Sequence, residues 1–269
     1  MIKLSDKIKY GPSFQSAQVE ERTLRLPPAC AGLEGRTLLF LSDVHLSDRF
    51  PPDAVRNLIA QIQSLNPDML LLGGDYGESA KWQRQFFRLL SRVSPPLGVY
   101  GVLGNNDYEC FPEKQLPLVK AAGRAGAQLL IDETVRLTVD GCPISIAGLD
   151  EYRHSRQPEH PLFDTEDQSA LRIMLSHYPQ SCCRYLRRMT GPMPHFAMSG
   201  HTHGGQFRLL GLTPYSIGYE LDLRWYMTTV SGWKQVKGCE CLVSPGLGTS
   251  QLPYRINADP TIHLLKFTK

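Results

Sequence analysis

Five short apolar segments in this chain each end in side chains able to hold a metal ion, and that pattern restricts the fold more than any other feature. TLLFLS (37–42) runs into Asp43 and His45, MLLLGG (69–74) into Asp75, and GVYGVLG (98–104) into Asn105, Asn106 and Asp107. Further on, RIMLS (172–176) is followed by His177, and FAMSG (196–200) by His201 and His203. The first three segments are each followed by a stretch of helical character: DAVRNLIAQIQSLN, SAKWQRQFFRLLSRV and EKQLPLVKAAGRAG. Strand–helix alternation predicts a layered α/β fold. In such folds sites gather beyond the carboxyl ends of the strands, where neighbouring loops converge. From about residue 205 the texture turns to Gly, Pro and aromatic residues with strand-like pieces such as TIHLLKF, read as completing the same domain.

Bulk properties narrow the function classes. The 269 residues, 42% hydrophobic and 20% charged, describe an ordinary globular chain large enough for a sizeable core. A net charge of +3 suits an anionic substrate or a glancing membrane contact and lacks the concentrated charge of a nucleic-acid binder. No apolar run exceeds four residues, and the N-terminal MIKLSDKIKY has no signal-peptide core. Seven cysteines, with only Cys182–Cys183 and Cys239–Glu240–Cys241 close together, predict reduced thiols packing as small hydrophobes in a cytoplasmic compartment. Peripheral membrane association is compatible with that location.

Taken singly, each strand-end residue has an ordinary structural role. Asp43 or Asp75 can cap a helix, His177 can be a satisfied core residue, and histidines two apart, such as His201 and His203, face opposite sides of a strand. The glycines of GHTHGG, however, allow a tight turn on which both converge. Together the two Asp, four His and one Asn mix hard oxygen with imidazole nitrogen. This set suits Mn²⁺, Fe or Zn²⁺ better than Ca²⁺ or Mg²⁺. Seven ligands exceed one tetrahedral site, so a two-metal centre is the economical reading. Such centres place the ions roughly 3.5–4 Å apart, share a bridging carboxylate, and generate hydroxide for in-line attack on phosphorus.

With DVH at 43–45, GGD at 73–75, GNND at 104–107, SHYP at 176–179 and GHTH at 200–203, the sequence resembles the calcineurin-like metallophosphoesterases. The likeness runs from about Thr37 to the C-terminus. GHTHGGQ and GLGTS (246–250) point to the bacterial single-domain branch, which includes phosphodiesterases and lies near UDP-diacylglucosamine pyrophosphatases. The resemblance implies a two-sheet β-sandwich flanked by helices over residues 37–269, with residues 1–36 as an N-terminal extension packing on it. It also implies that Asp43, His45 and His203 hold one divalent ion, that Asn105, His177 and His201 hold the other, and that Asp75 bridges them.

One departure bears on the chemistry. The family's third block usually reads GNH, and its His is thought to act as a general acid or transition-state stabiliser; here the slot is Asn106. An amide does not give up a proton near neutral pH, although its NH2 can still donate to a phosphoryl oxygen. Asp107 is expected to orient that amide. The expected substrate is therefore a small anionic phosphodiester or pyrophosphate with a good leaving group, on a nucleotide-sugar or lipid-linked molecule. His154 or His160, in the loop DEYRHSRQPEH, is a candidate replacement acid, whereas His195 and His263 read as structural. Arg184, Arg187 and Arg188 read as a solvated helix face or an anion-attracting patch. The stretch 219–233, with Trp225 and Trp233, reads as packing or as an apolar lip for an acyl chain. The rival readings are a nuclease or cyclic-nucleotide phosphodiesterase, and a non-catalytic metal-binding scaffold.

Overall fold

A computed structural model of the chain describes residues 8–10, 14–110, 116–150, 161–210, 212–214, 230–250 and 252–269. Its centre is a pair of six-stranded mixed sheets. The first contains β2 (Gln18–Arg25), β3 (Thr37–Leu41), β4 (Met69–Leu72), β5 (Val99–Gly101), β6 (Ala127–Leu129) and β14 (Thr261–Thr268), in spatial order β2-β14-β3-β4-β5-β6. Strands β3 to β6 run parallel, and β14 returns antiparallel beside β3. The second contains β7 (Glu133–Val139), β8 (Cys142–Leu149), β9 (Leu171–Ser176), β10 (Phe196–Ser199), β11 (Gly232–Val236) and β12 (Cys239–Val243), in order β11-β12-β10-β9-β8-β7. Here β8, β9, β10 and β12 are parallel. A small ladder joins β1 (Ile8–Tyr10) to β13 (Tyr254–Ile256).

The strands read as unbroken apolar runs because both faces of each sheet are covered. In β3, Leu38 and Phe40 enter the core between the sheets, while Leu39 and Leu41 enter the core beneath the helices. Leu71 and Leu70 divide in the same way in β4. The helical layer on the first sheet is α1 (Pro52–Leu65), α2 (Ala80–Leu90) and α4 (Leu116–Arg124), and the short α3 (Asn105–Glu109) begins at the site itself. Pro52 starts α1 and left-handed Asn66 ends it, while the Ser79 hydroxyl caps α2 by accepting from the Trp82 N–H. On the second sheet α5 (Pro179–Arg188) covers Met174, Ala197 and Val243. The result is a helix–sheet–sheet–helix sandwich.

One expectation changes here, and one pair of alternatives is narrowed. Cys30 and Cys142 are joined in a disulfide that fastens the segment before β3 to the second sheet, so the thiols are not all reduced. A pairing across 112 residues leaves no local trace in the sequence. Trp233 lies in β11, half-buried against the inter-sheet core with the Arg22 guanidinium 4.0 Å from its ring centroid, and so packs rather than forming a lip. Trp225 lies outside the described residues, as do His154 and His160.

Candidate metal centre

The carboxyl ends of β3, β4 and β5 in one sheet meet those of β9 and β10 in the other, and the seven candidate ligands come together at that shared edge. Asp43, His45, Asp75, His201 and His203 all adopt left-handed backbone, with φ between 47° and 69°. Non-glycine residues pay for such conformations in strain, which persists only where surrounding structure enforces it. Hydrogen bonds between the loops do so: Asp43 N–H donates to Gly74 O and His45 N–H to Asp75 O, each at 3.0 Å. The His201 N–H donates to both Asp43 carboxylate oxygens, at 2.9 and 3.1 Å, joining the two sheets. Gly104 and Gly200 are required by close approach, because a Cβ at either would collide with the Asp75 or the Asp43 carboxylate.

The side chains form two groups around Asp75. Asp75 Oδ2 lies 3.4 Å from His45 Nε2 and 3.4 Å from His177 Nε2. On one side, Asp43 Oδ1 is 3.8 Å from His203 Nε2, and the His45 and His203 ring centroids are 4.9 Å apart. On the other, Asn105 Oδ1 is 3.3 Å from His177 Nε2 and 3.1 Å from His201 Nδ1. His45 Nε2 is buried with no hydrogen-bond partner of good geometry, which is costly unless a group outside the chain engages it. The ligand atoms of Asp43, His45 and His203 lie within 4.8 Å of one another, as do those of Asp43, Asp75 and His177. This donor set fits divalent metal ions.

Electrostatics agree. Burial alone would lower the His45 pKa, but the neighbouring carboxylates of Asp75 and Glu78 overturn that and raise it to about 10. For His177 burial again opposes, and the Asp75 charge wins, raising it to about 10. Burial pushes Asp75 up, but His177 and His45 hold it well below the usual carboxylate range. These buried groups stabilise one another through charges that a divalent ion would replace, releasing the imidazole protons.

Asp107 has a different place from the one expected. Its carboxylate accepts from the backbone N–H groups of Gly104, Asp75 and Tyr76 at 2.8, 2.8 and 3.1 Å, bracing two ligand loops, with no hydrogen bond to the Asn106 side chain. Burial and the Asp75 charge raise its pKa to about 7. Asn106 faces the cleft. Its Oδ1 accepts from Asn105 Nδ2 at 3.4 Å, and its Nδ2 lies 2.9 Å from His45 Nδ1 and 3.5 Å from Glu78 Oε1. His263 is a buried core residue between Ser244 and Glu20, and His195 Nδ1 accepts from the Arg172 N–H at 3.1 Å. Arg187 and Arg188 are exposed in the last turn of α5, whereas His177 immediately precedes its first turn.

Glu78, overlooked in the sequence, is a close partner of a ligand: its Oε1 lies 2.6 Å from His45 Nδ1. A carboxylate there accepts a hydrogen bond from Nδ1–H, which fixes the tautomer and would aim Nε2 at an ion. Glu78→Gln is expected to weaken metal binding by about 10–100-fold while leaving the metal-free melting temperature close to wild type, since Glu78 is partly exposed. Calorimetric titration with Mn²⁺ measures this, and unchanged affinity would remove Glu78 from the site.

The sandwich, with its ligand-bearing loops at one edge, defines a metal-dependent phosphoester hydrolase. The family profile described as calcineurin-like phosphoesterase matches residues 36–205, and the chain belongs to that family. Among its relatives, the uncharacterized protein YpbG of Bacillus subtilis is 31% identical over 235 residues, covering 85% of this chain and 80% of its own length. The uncharacterized metallophosphoesterase YkuE of the same organism is 26% identical over 256 residues, covering 93% and 86%. The UDP-2,3-diacylglucosamine pyrophosphatase LpxG of Chlamydia muridarum is 25% identical over 232 residues, covering 69% and 68%.

Proposed function

We propose that this chain hydrolyses a phosphodiester or pyrophosphate bond with two divalent ions, Mn²⁺ foremost with Fe or Zn²⁺ as alternatives. In this reading Asp43, His45 and His203 hold one ion, Asn105, His177 and His201 the other, and Asp75 bridges. The observation that carries it is Asp75 Oδ2, equally distant from an imidazole of each group. The ions supply Lewis acidity and activate water at neutral pH. The chain's residues do the rest: Glu78 orients His45, Asp107 braces the loops bearing Asp75 and Asn105, and the Asn106 amide donates to a phosphoryl oxygen.

Substrate class follows from the cleft, about 270 Å³ in volume. Its lining includes His45, Asp75, Asn105 and Asn106 together with Phe207, Pro214 and Leu252. No lysine or arginine among the described residues lines it, which suits a phosphorus carrying one negative charge, as in a diester or a disubstituted pyrophosphate, better than a doubly charged monoester. Leu209, Leu210, Leu212 and Leu252 are the exposed large hydrophobics among the described residues, and Leu252 lines the cleft itself. This clustering, with the likeness to a diacylglucosamine pyrophosphatase, favours a lipid-linked substrate met at a membrane surface. No helix among the described residues is long and apolar enough to cross a bilayer.

A panel assayed with Mn²⁺ tests the reading. Bis-p-nitrophenyl phosphate should be cleaved at least about tenfold faster than p-nitrophenyl phosphate, and acylated nucleotide-sugar pyrophosphates faster than deacylated ones. A preference for the monoester would overturn the bond assignment. A preference for oligonucleotides or cyclic nucleotides would instead establish a nuclease or cyclic phosphodiesterase.

A further inference from the structure

Arg255 is among the largest fully buried side chains, 1% exposed, and among the described residues no carboxylate lies within ion-pair distance of it. A buried cation without a contacting carboxylate is costly: burial pushes the Arg255 pKa down to about 10, against the more distant charges of Asp43 and Asp259. What offsets the cost is a full set of acceptors. Nε donates to Gly248 O at 2.7 Å, and Nη1 to Pro245 O at 2.8 Å and to His203 O and Ala258 O at 3.2 Å each. Nη2 lies 3.1 Å from His203 Nδ1.

These acceptors belong to two places. His203 is itself a candidate ligand. Pro245 and Gly248 belong to a loop that grips the other ligand-bearing turn, because Leu247 N–H donates to Ser42 O at 3.2 Å and Gly248 N–H to Asp43 O at 2.6 Å. One guanidinium thus ties the turn carrying Asp43 and His45 to the turn carrying His203. The other group, Asn105, His177 and His201, receives no hydrogen bond from it.

We infer that Arg255 is a positioning residue for one half of the metal centre: through the His203 carbonyl and the carbonyls of Pro245 and Gly248 it holds the turn carrying His203 against the Asp43–His45 turn. The inference rests on the two-ion reading above. A planar five-donor fork meets this task where the single nitrogen of lysine cannot reach both turns.

Co²⁺ titration of the metal-free protein, followed by visible absorption, tests it. Wild type should take up two ions. Arg255→Lys should weaken one step by at least about tenfold and leave the other at wild-type affinity. Its difference spectrum should match that of His203→Ala and not that of His201→Ala. Arg255→Gln, neutral and still a donor, serves if the lysine variant does not fold, and the metal-free melting temperature reports folding for both. Wild-type affinity at both steps, or equal weakening of both, makes Arg255 merely structural and overturns the inference. Failure of wild type to take up two ions would instead overturn the two-ion reading, and the inference with it.

Discussion

Asp75→Asn is expected to lower kcat/KM by at least about a thousandfold, with metal content falling below two ions per chain. Asp75 is buried, and its Oδ2 lies 3.4 Å from an imidazole nitrogen of both His45 and His177. The amide keeps the shape but loses the negative charge, so two divalent ions held nearby would repel without a shared anion. Removing a single preorganised donor to a transition state costs roughly 10²–10³ in rate, and losing an ion also removes the activation of water. Asp75 Oδ1 accepts from the Asn106 N–H at 2.9 Å, so the substitution disturbs the amide as well. Elemental analysis and steady-state assays with Mn²⁺ measure both effects. Chelated wild type should behave like the variant, and a variant with full metal content and near-normal rate would show that Asp75 does not bridge.

The candidate ligands stood out because each lies at or within a few residues of the end of an apolar segment, and an apolar segment ending in glycine and a polar residue is visible without knowing its partners. The sequence did not reveal that β3, β4 and β5 belong to one sheet and β9 and β10 to another. Each strand is covered on both faces in either arrangement, so its apolar pattern is the same. The return of β14 to lie between β2 and β3 is likewise a long-range pairing without local signal.

What was missed follows one rule: the residues that act through others look like ordinary charges. Glu78 sits in a loop of small polar residues and reads as surface, and Arg255 in PYRIN reads as a solvated strand residue. Their significance depends on what folds against them, His45 in one case and His203 in the other. Asp107 illustrates the reverse, since the motif marks it but three backbone amides claim its carboxylate.

Asn106 gives the second large expected effect, and it separates two kinds of catalysis. His45 Nδ1–H donates to the Glu78 carboxylate at 2.6 Å, so that nitrogen has no lone pair to offer the Asn106 amide 2.9 Å away. Glu78 itself lies at 3.5 Å, a weak acceptor, which leaves the amide N–H groups free to donate into the cleft. Asn106→Ala should therefore cost about 10²–10³ in kcat on every diester, whatever its leaving group, as loss of a charge-stabilising donor does. Asn106→His should differ in kind. With a titratable donor in the slot, diesters of simple alcohols should gain by up to about 10²–10⁴, the usual range for general acid catalysis. Nitrophenyl diesters, whose leaving groups need no proton, should change little. Plotting log kcat against leaving-group pKa for the two variants and wild type makes the distinction visible: a parallel drop for alanine and a flattened slope for histidine. A steeper slope for alanine would mean that wild type already protonates its leaving group through Asn106, and the restriction to good leaving groups would then fall.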